Sequence, residues 1–253
     1  MKIQYCSDLH IEFSQNSDYL MKNKIPPLGD ILVLAGDITY LGDIFFKHAF
    51  FDYISNNFKT TYWIPGNHEF YGGSDLSFFE EPVQLKIRHN IFLVNNISVV
   101  YKDIELFFTT LWTKLDKNRI PYVLDGVNDF HKIKCNGAVI QRKEFEHHHN
   151  LSVSFLEKAL EDSEAMKKIV VTHHVPSQIC NAEEYRDSWI NSAFVVVMDD
   201  FITNRNIDYW IYGHHHRNIS EKQISGTKFV TNQLGYVQLG ENKDFNMEAI
   251  IEI

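Results

Sequence analysis

The stretch DILVLAGDI, residues 30–38, decides the fold. Ile31 to Ala35 are apolar without interruption, so an extended segment here has protein on both faces, as strands do inside a sheet covered on both sides. Gly36 then lets the chain turn tightly, and Asp37 follows at once. The same grammar recurs in KIQYC, TTYWIPG, NIFLVNN, ISVVYKDIELFFTTLW, KKIVVTHH and IDYWIYGHH. Between these runs, helical spacing is predicted over residues 43–57, 79–90, 144–162 and 194–204. Buried strands alternating with helices predict an α/β layered fold. ISEKQISGTKFVTNQLG reads as a hairpin turning at Ser225 and Gly226, and MEAIIEI as a closing strand, so antiparallel additions to the sheet are expected. Residues 114–135 look irregular and are expected to form a long surface loop.

Composition bounds the function. The chain of 253 residues is 44% hydrophobic and 14% aromatic, enough for one full core, and residues 1–253 are expected to form a single domain. Its formal charge of -9 disfavours a surface that grips nucleic-acid backbones, although bound cations would reverse the local field for a small phosphorylated substrate. Cys6, Cys135 and Cys180 are odd in number and widely spaced, which suggests neither a disulfide framework nor a thiolate zinc site, and fits a reducing cytoplasm. No signal-peptide pattern and no membrane span is visible, so a cytoplasmic location without membrane association is expected.

The polar residues fall at the ends of the apolar runs: SDLH, AGDI, PGNHE, VTHHVPS and YGHHHRN. Open α/β sheets place their ligand crevice at the carboxyl ends of strands. Asp8 and His10 are two apart and share one side of an extended chain, where both can reach one ion. Asn67 offers an amide oxygen, with His68 beside it. Alternation likewise puts His214 and His216 on one side and His215 on the other. A second triplet, His147 to His149, sits in helical spacing, where neighbours fan out by about 100°, so these three cannot share an ion. Two solvent-facing rings and one against the core are expected there.

Taken in order, DLH, GD, GNHE, H and GHHH resemble the five blocks of the calcineurin-like metallophosphoesterase superfamily, and the resemblance spans Asp8 to His216. It implies a four-layer α/β/β/α sandwich with two mixed β-sheets flanked by helices. It also implies two divalent ions, one held by Asp8, His10, Asp37 and His216, the other by Asp37, Asn67, His173 and His214, with Asp37 bridging. His173 rather than His174 is the ligand by family habit, and His68 faces the substrate phosphate together with Asn67. Tyr40 and Leu41 stand where the Ser/Thr protein phosphatase branch has Asp and Arg, so the chain resembles the compact bacterial branch instead.

Imidazole, carboxylate and amide donors without thiolate suit Mn best, with Fe or Zn as alternatives. The implied reaction is hydrolysis of a phosphomonoester or phosphodiester by a hydroxide bridging the ions. His68 then stabilises charge or protonates the leaving alkoxide. Arg217 is a further candidate for a phosphate oxygen, and Glu69 for orienting its loop. Trp112, Asp129, Phe130 and His131 are expected in the core rather than the cleft; His48 and His89 are expected to be structural, and Cys6 an inert buried thiol. Two other functions fit parts of the sequence: a nuclease acting on DNA or RNA ends, and a catalytically idle metal-binding scaffold for a partner protein.

Overall fold

The computed structural model describes residues 1–253. The first part of the chain supplies β1 (Lys2–Cys6), α1 (Ser14–Lys22), β2 (Ile31–Ala35), α2 (Asp43–Phe46), α3 (Ala49–Asn57), β3 (Thr61–Ile64), β4 (Val83–Arg88) and β5 (Ile91–Asn95). After these come β6 (Ile97–Tyr101), β7 (Ile104–Phe108), α4 (Ile120–Gly126), α5 (Asp129–Lys132) and a small hairpin, β8 (Lys134–Cys135) with β9 (Ala138–Val139). The long α6 (Arg142–Asp162) leads to β10 (Lys167–Val171), α7 (Asp199–Thr203), β11 (Tyr209–Tyr212), β12 (Lys222–Ile224), β13 (Thr227–Thr231) and β14 (Ile250–Glu252).

Two six-stranded sheets result, ordered β14-β1-β2-β3-β5-β4 and β12-β13-β11-β10-β7-β6. In each, four central strands run parallel and both edge strands run antiparallel. The two mixed sheets pack face to face with helices outside, giving four layers. Strand β2 shows why its sequence has no polar face: Ile31, Val33 and Ala35 enter the core between the sheets, while Leu32 and Leu34 enter the core under the outer helices. In the other sheet, Ile169 and Val171 point to the inter-sheet core and Val170 points outward to α6 and α7. Each fully buried large side chain contributes about 1.5–3 kcal/mol. Those of the inter-sheet core therefore fix how the two sets of strand ends face one another.

Several expectations are corrected. Residues 79–90 are not helical: Pro82 removes a helix donor, and Val83, Leu85 and Ile87 alternate with polar residues, so the segment pairs as the edge strand β4. Residues 114–135 are no loose loop, because Val123, Val127, Phe130 and Ile133 recur every three or four residues and are buried, Val123 and Phe130 within α4 and α5 and Val127 and Ile133 at their C-terminal ends. The helix over 43–57 is broken, with His48 capping the second piece by accepting from the Phe50 N–H. Of 194–204, Asp199–Thr203 is α-helical, and α1 was not anticipated. The hairpin at Ser225 and Gly226 and the closing strand are present.

Candidate metal centre and active site

Parallel strands from both sheets deliver the polar residues to one edge. Asp8 and His10 follow β1, Asp37 follows β2, Asn67 and His68 follow β3, His173 follows β10, and His214 and His216 follow β11. An isolated bridge between Ser7 and Gln233 ties the two sheets together at this end. The glycine of GNHE is required by space: a Cβ on Gly66 would strike the Asp37 carboxylate and come within 2.7 Å of His173 Nε2. On Gly213 it would lie 2.7 Å from Asp8 Oδ2.

The backbone that aims these side chains is not extended, contrary to the alternation argument. Asp8, His10, Asp37, His214 and His216 all have positive φ, between 46° and 86°. Left-handed backbone costs about 1–2 kcal/mol at each non-glycine residue and persists where surrounding structure over-determines it. Here the turns are held by the site's own carboxylates: the Asp8 carboxylate accepts from the His214 N–H, and Asp37 Oδ1 accepts from the His68 N–H at 2.9 Å. Glu69 accepts from the N–H groups of Asp37, Ile38 and Gly66 and from the Trp63 indole, which locks the Asp37 turn.

Seven candidate donors form two adjoining groups. In one, His10 Nε2 and His216 Nε2 are 2.9 Å apart, His216 Nε2 is 3.4 Å from Asp8 Oδ1, and His10 Nε2 is 3.8 Å from Asp37 Oδ2. In the other, His173 Nε2 lies 3.4 Å from Asp37 Oδ1, 3.2 Å from Asn67 Oδ1 and 3.0 Å from His214 Nδ1. Asp37 thus points one oxygen into each group.

This donor set fits cations. The outward nitrogens are tied to acceptors: His10 Nδ1 to Glu12 at 3.1 Å, His216 Nδ1 to Glu241 at 2.8 Å, and His173 Nδ1 to the Ala35 carbonyl at 3.0 Å. These acceptors take the ring N–H and leave lone pairs facing inward, the tautomer a ligand needs. Facing nitrogens about 3 Å apart need something positive between them, a proton or a metal ion. The field agrees. Burial alone would lower His173 and His216, yet Asp37 pushes the first up to about 10, and Asp8 with Glu241 pushes the second up to about 9. Burial works to raise Asp37, but His173, His68 and His10 hold it well below the usual carboxylate range.

Comparison with known proteins agrees with this geometry. The model of the calcineurin-like phosphoesterase family matches residues 1–218. The chain belongs to that family. An uncharacterized protein of Acanthamoeba polyphaga mimivirus is 30% identical over 276 residues, covering 99% of this chain and 96% of the relative. The solved phosphopantetheinyl hydrolase of Mycobacterium tuberculosis shares the fold with a TM-score of 0.74 at 16% identity, covering 99% of this chain and 95% of its own. The chain is therefore a metal-dependent phosphoester hydrolase, and none of its helices is long and apolar enough to cross a membrane.

Beside the phosphoesterase's two donor groups opens a cleft of about 400 Å³. His68 lines it, with Nδ1 3.1 Å from Glu12 Oε1 and Nε2 3.3 Å from the Tyr236 hydroxyl. Asp129 also lines it, correcting its assignment to the core: it accepts from Asn67 Nδ2 at 2.9 Å and from the Tyr71 hydroxyl at 2.6 Å, so it orients the Asn67 amide. Phe130 and Trp112 are core residues, and His131 is exposed. Arg217 is not turned toward the centre; its guanidinium is engaged by Glu184 at 2.6 Å and Glu241 at 3.4 Å. His174 is buried with Nδ1 on the Thr110 carbonyl, and His215 turns away to the Cys180 carbonyl and Gln233. His48, His89 and Cys6 take structural positions, the first two in hydrogen bonds with Ser17 and Ser55. Glu12, Glu241, Tyr71 and Tyr236 were missed from sequence. Glu12 sits two residues beyond His10, which was a usable signal; the other three have none.

Proposed function

We propose that the chain is a dinuclear phosphoesterase acting on a small phosphorylated substrate. One ion is held by Asp8, His10, Asp37 and His216, the other by Asp37, Asn67, His173 and His214. The observation that carries this reading is Asp37, whose two oxygens face separate donor groups. When bound, two divalent ions, Mn or alternatively Fe or Zn, supply charge for the phosphoryl oxygens and activate a water.

The protein's own residues do the rest. Asn67 Nδ2 is fixed by Asp129 and Tyr71, which leaves its Oδ1 directed at His173 and the second ion position. His68 sets Nδ1 against the Glu12 carboxylate and Nε2 toward the cleft. With a proton on each nitrogen, the ring would donate from Nε2 to the phosphoryl group or pass that proton to the leaving oxygen, while Glu12 holds the Nδ1 proton. Tyr236 stands within reach of that nitrogen and restricts the ring. No Lys or Arg lines the cleft, which supports a small substrate over a nucleic-acid strand.

The test is a matrix of metals against substrates. Apo protein reloaded with Mn, Fe, Zn, Ni or Mg is assayed on a chromogenic monoester, a diester, a cyclic nucleotide, a phosphopantetheinyl ester and single-stranded nucleic acid. Turnover on a small ester with two bound ions per chain is expected. Turnover confined to nucleic acid would overturn the substrate class, and no turnover anywhere would leave a metal-binding scaffold.

A further inference from the structure

The helical triplet at 147–149 contributes one residue to a second cluster. His148, Cys135 and Glu80 each offer a ligand atom, and these atoms lie within 4.8 Å of one another. They come from α6, from β8, and from the residue that ends the 3-10 helix Leu76–Phe79. His148 is 2% exposed, and its Nε2 has no hydrogen-bond partner. A buried nitrogen left unmatched costs about 1–3 kcal/mol, so a packing role alone leaves this histidine unexplained. Cys135 is a free, buried thiol, and the carboxylates of Asp75, Glu80 and Glu144 stand around it. Of these, Asp75 is occupied by the N–H groups of Ser77, Asn136 and Gly137. Of the two cations at this surface, Arg142 and Lys143, Arg142 is taken by Glu146 at 2.9 Å. A polar depression that includes Glu80, Asn136, Arg142, Lys143, Glu144 and His147 lies beside the cluster and shares Glu80 with it.

We propose that Glu80, Cys135 and His148 bind one divalent cation of the zinc class, through carboxylate, thiolate and imidazole. Mixed N, S and O donors suit zinc, whose bonds of about 2.0–2.3 Å require donors about 3.3–3.8 Å apart. Glu80 is exposed and free to swing in, while His148 and Cys135 are fixed by burial. Three protein donors leave a fourth position for water. On binding, the Cys135 S–H bond breaks, the sulfur–metal bond forms, and the proton leaves to solvent. The cation ties α6 to the segment that also carries Asp129, four residues before Ile133. Its role is to hold the far wall of the active cleft, not to enter the reaction.

Cobalt(II) separates this site from the active centre, which contains no sulfur. Titrating full-length apo protein with cobalt(II) is expected to yield a near-ultraviolet thiolate-to-cobalt absorption whose final intensity corresponds to one thiolate-bound cobalt per chain, beside the two ions of the active centre. Cys135→Ser abolishes it. Glu80→Gln, on an exposed position that spares the fold, weakens the cobalt affinity read from that band by about 10-fold or more, while phosphoesterase metal stoichiometry at the active centre stays the same. No thiolate absorption in folded protein overturns the proposal. So does a band that survives Cys135→Ser or is indifferent to Glu80→Gln, because the sulfur would then belong to Cys6 or Cys180 and the carboxylate would not be a ligand.

Discussion

The chain contains two runs of three histidines, and the backbone gives them opposite fates. In residues 214–216 left-handed turns at the first and third positions send two rings into adjoining donor groups while the middle ring turns into the protein. In residues 147–149 the helix fans the rings apart: His147 is exposed, His148 is buried, and His149 Nδ1 meets the Trp112 carbonyl at 2.6 Å. Three imidazoles in sequence have no fixed chemistry. What they can bind depends on what the fold brings opposite them, and for the first run that is a pair of aspartates from the other sheet.

The largest effect that would break this contrast is at Asp37. Asp37→Asn is expected to lose at least one ion and to lower kcat by more than about 10³-fold, since residues that act as a unit fail together. Metal analysis and turnover on one chromogenic ester check both halves. Next comes His68→Ala, which is expected to lower kcat by about 10²- to 10⁴-fold on an ester with a poor leaving group and by much less on a nitrophenyl ester. Equal losses on both substrates would remove the proton-lending role. Glu12→Gln, which loosens His10 and His68 together, is expected to reduce metal affinity or activity by about 10- to 100-fold.

Protonation sharpens the contrast by sign. His173 and His216, pushed up to about 10 and about 9, bind protons at neutral pH and must release them to a cation, so ion affinity rises with pH until those protons are gone. Burial, with help from His147, pushes His148 down to about 4. The unfolded chain then binds a proton that the folded chain refuses, so stability is full above pH 6.5 and falls as the pH drops toward 4, by about 1.4 kcal/mol per unit. Denaturant melts at pH 7 and pH 5 read it, and the pH dependence should shrink in His148→Gln. The smallest effects distinguish the middle members. His215→Ala should keep both ions bound while losing about 1–3 kcal/mol from stranding its buried partners. His147→Ala should stay within about 0.5 kcal/mol of the parent.

The sequence made one half of this legible. Strand ends announce themselves through an apolar run followed by Gly, Asp, Asn or His, and they mark where Asp8, His10, Asp37, Asn67, His173, His214 and His216 lie, while the choice of these seven, and of His173 over His174, comes from the family resemblance. Their convergence was foreseen for the wrong local reason, because positive φ at non-glycine residues leaves no mark in the residue types. Partners that orient the rings were largely illegible. Glu241 reaches His216 from 25 residues away and Asp129 reaches Asn67 from 62, distances that only the tertiary fold closes. The misread segments failed on competition between periods: Val83, Leu85 and Ile87 alternate as a strand inside a window that also scores as helix, and the helical spacing of Val123, Val127 and Phe130 was hidden among charged and turn-forming residues.

The central claim is that Asp37 stands between two ions. Crystals of the manganese-loaded protein, measured for anomalous scattering at the manganese edge, test it most directly. Two peaks flanking the Asp37 carboxylate are expected, one beside His10 and His216 and one beside His173 and His214. A single peak, or two peaks of which neither touches Asp37, would contradict the account.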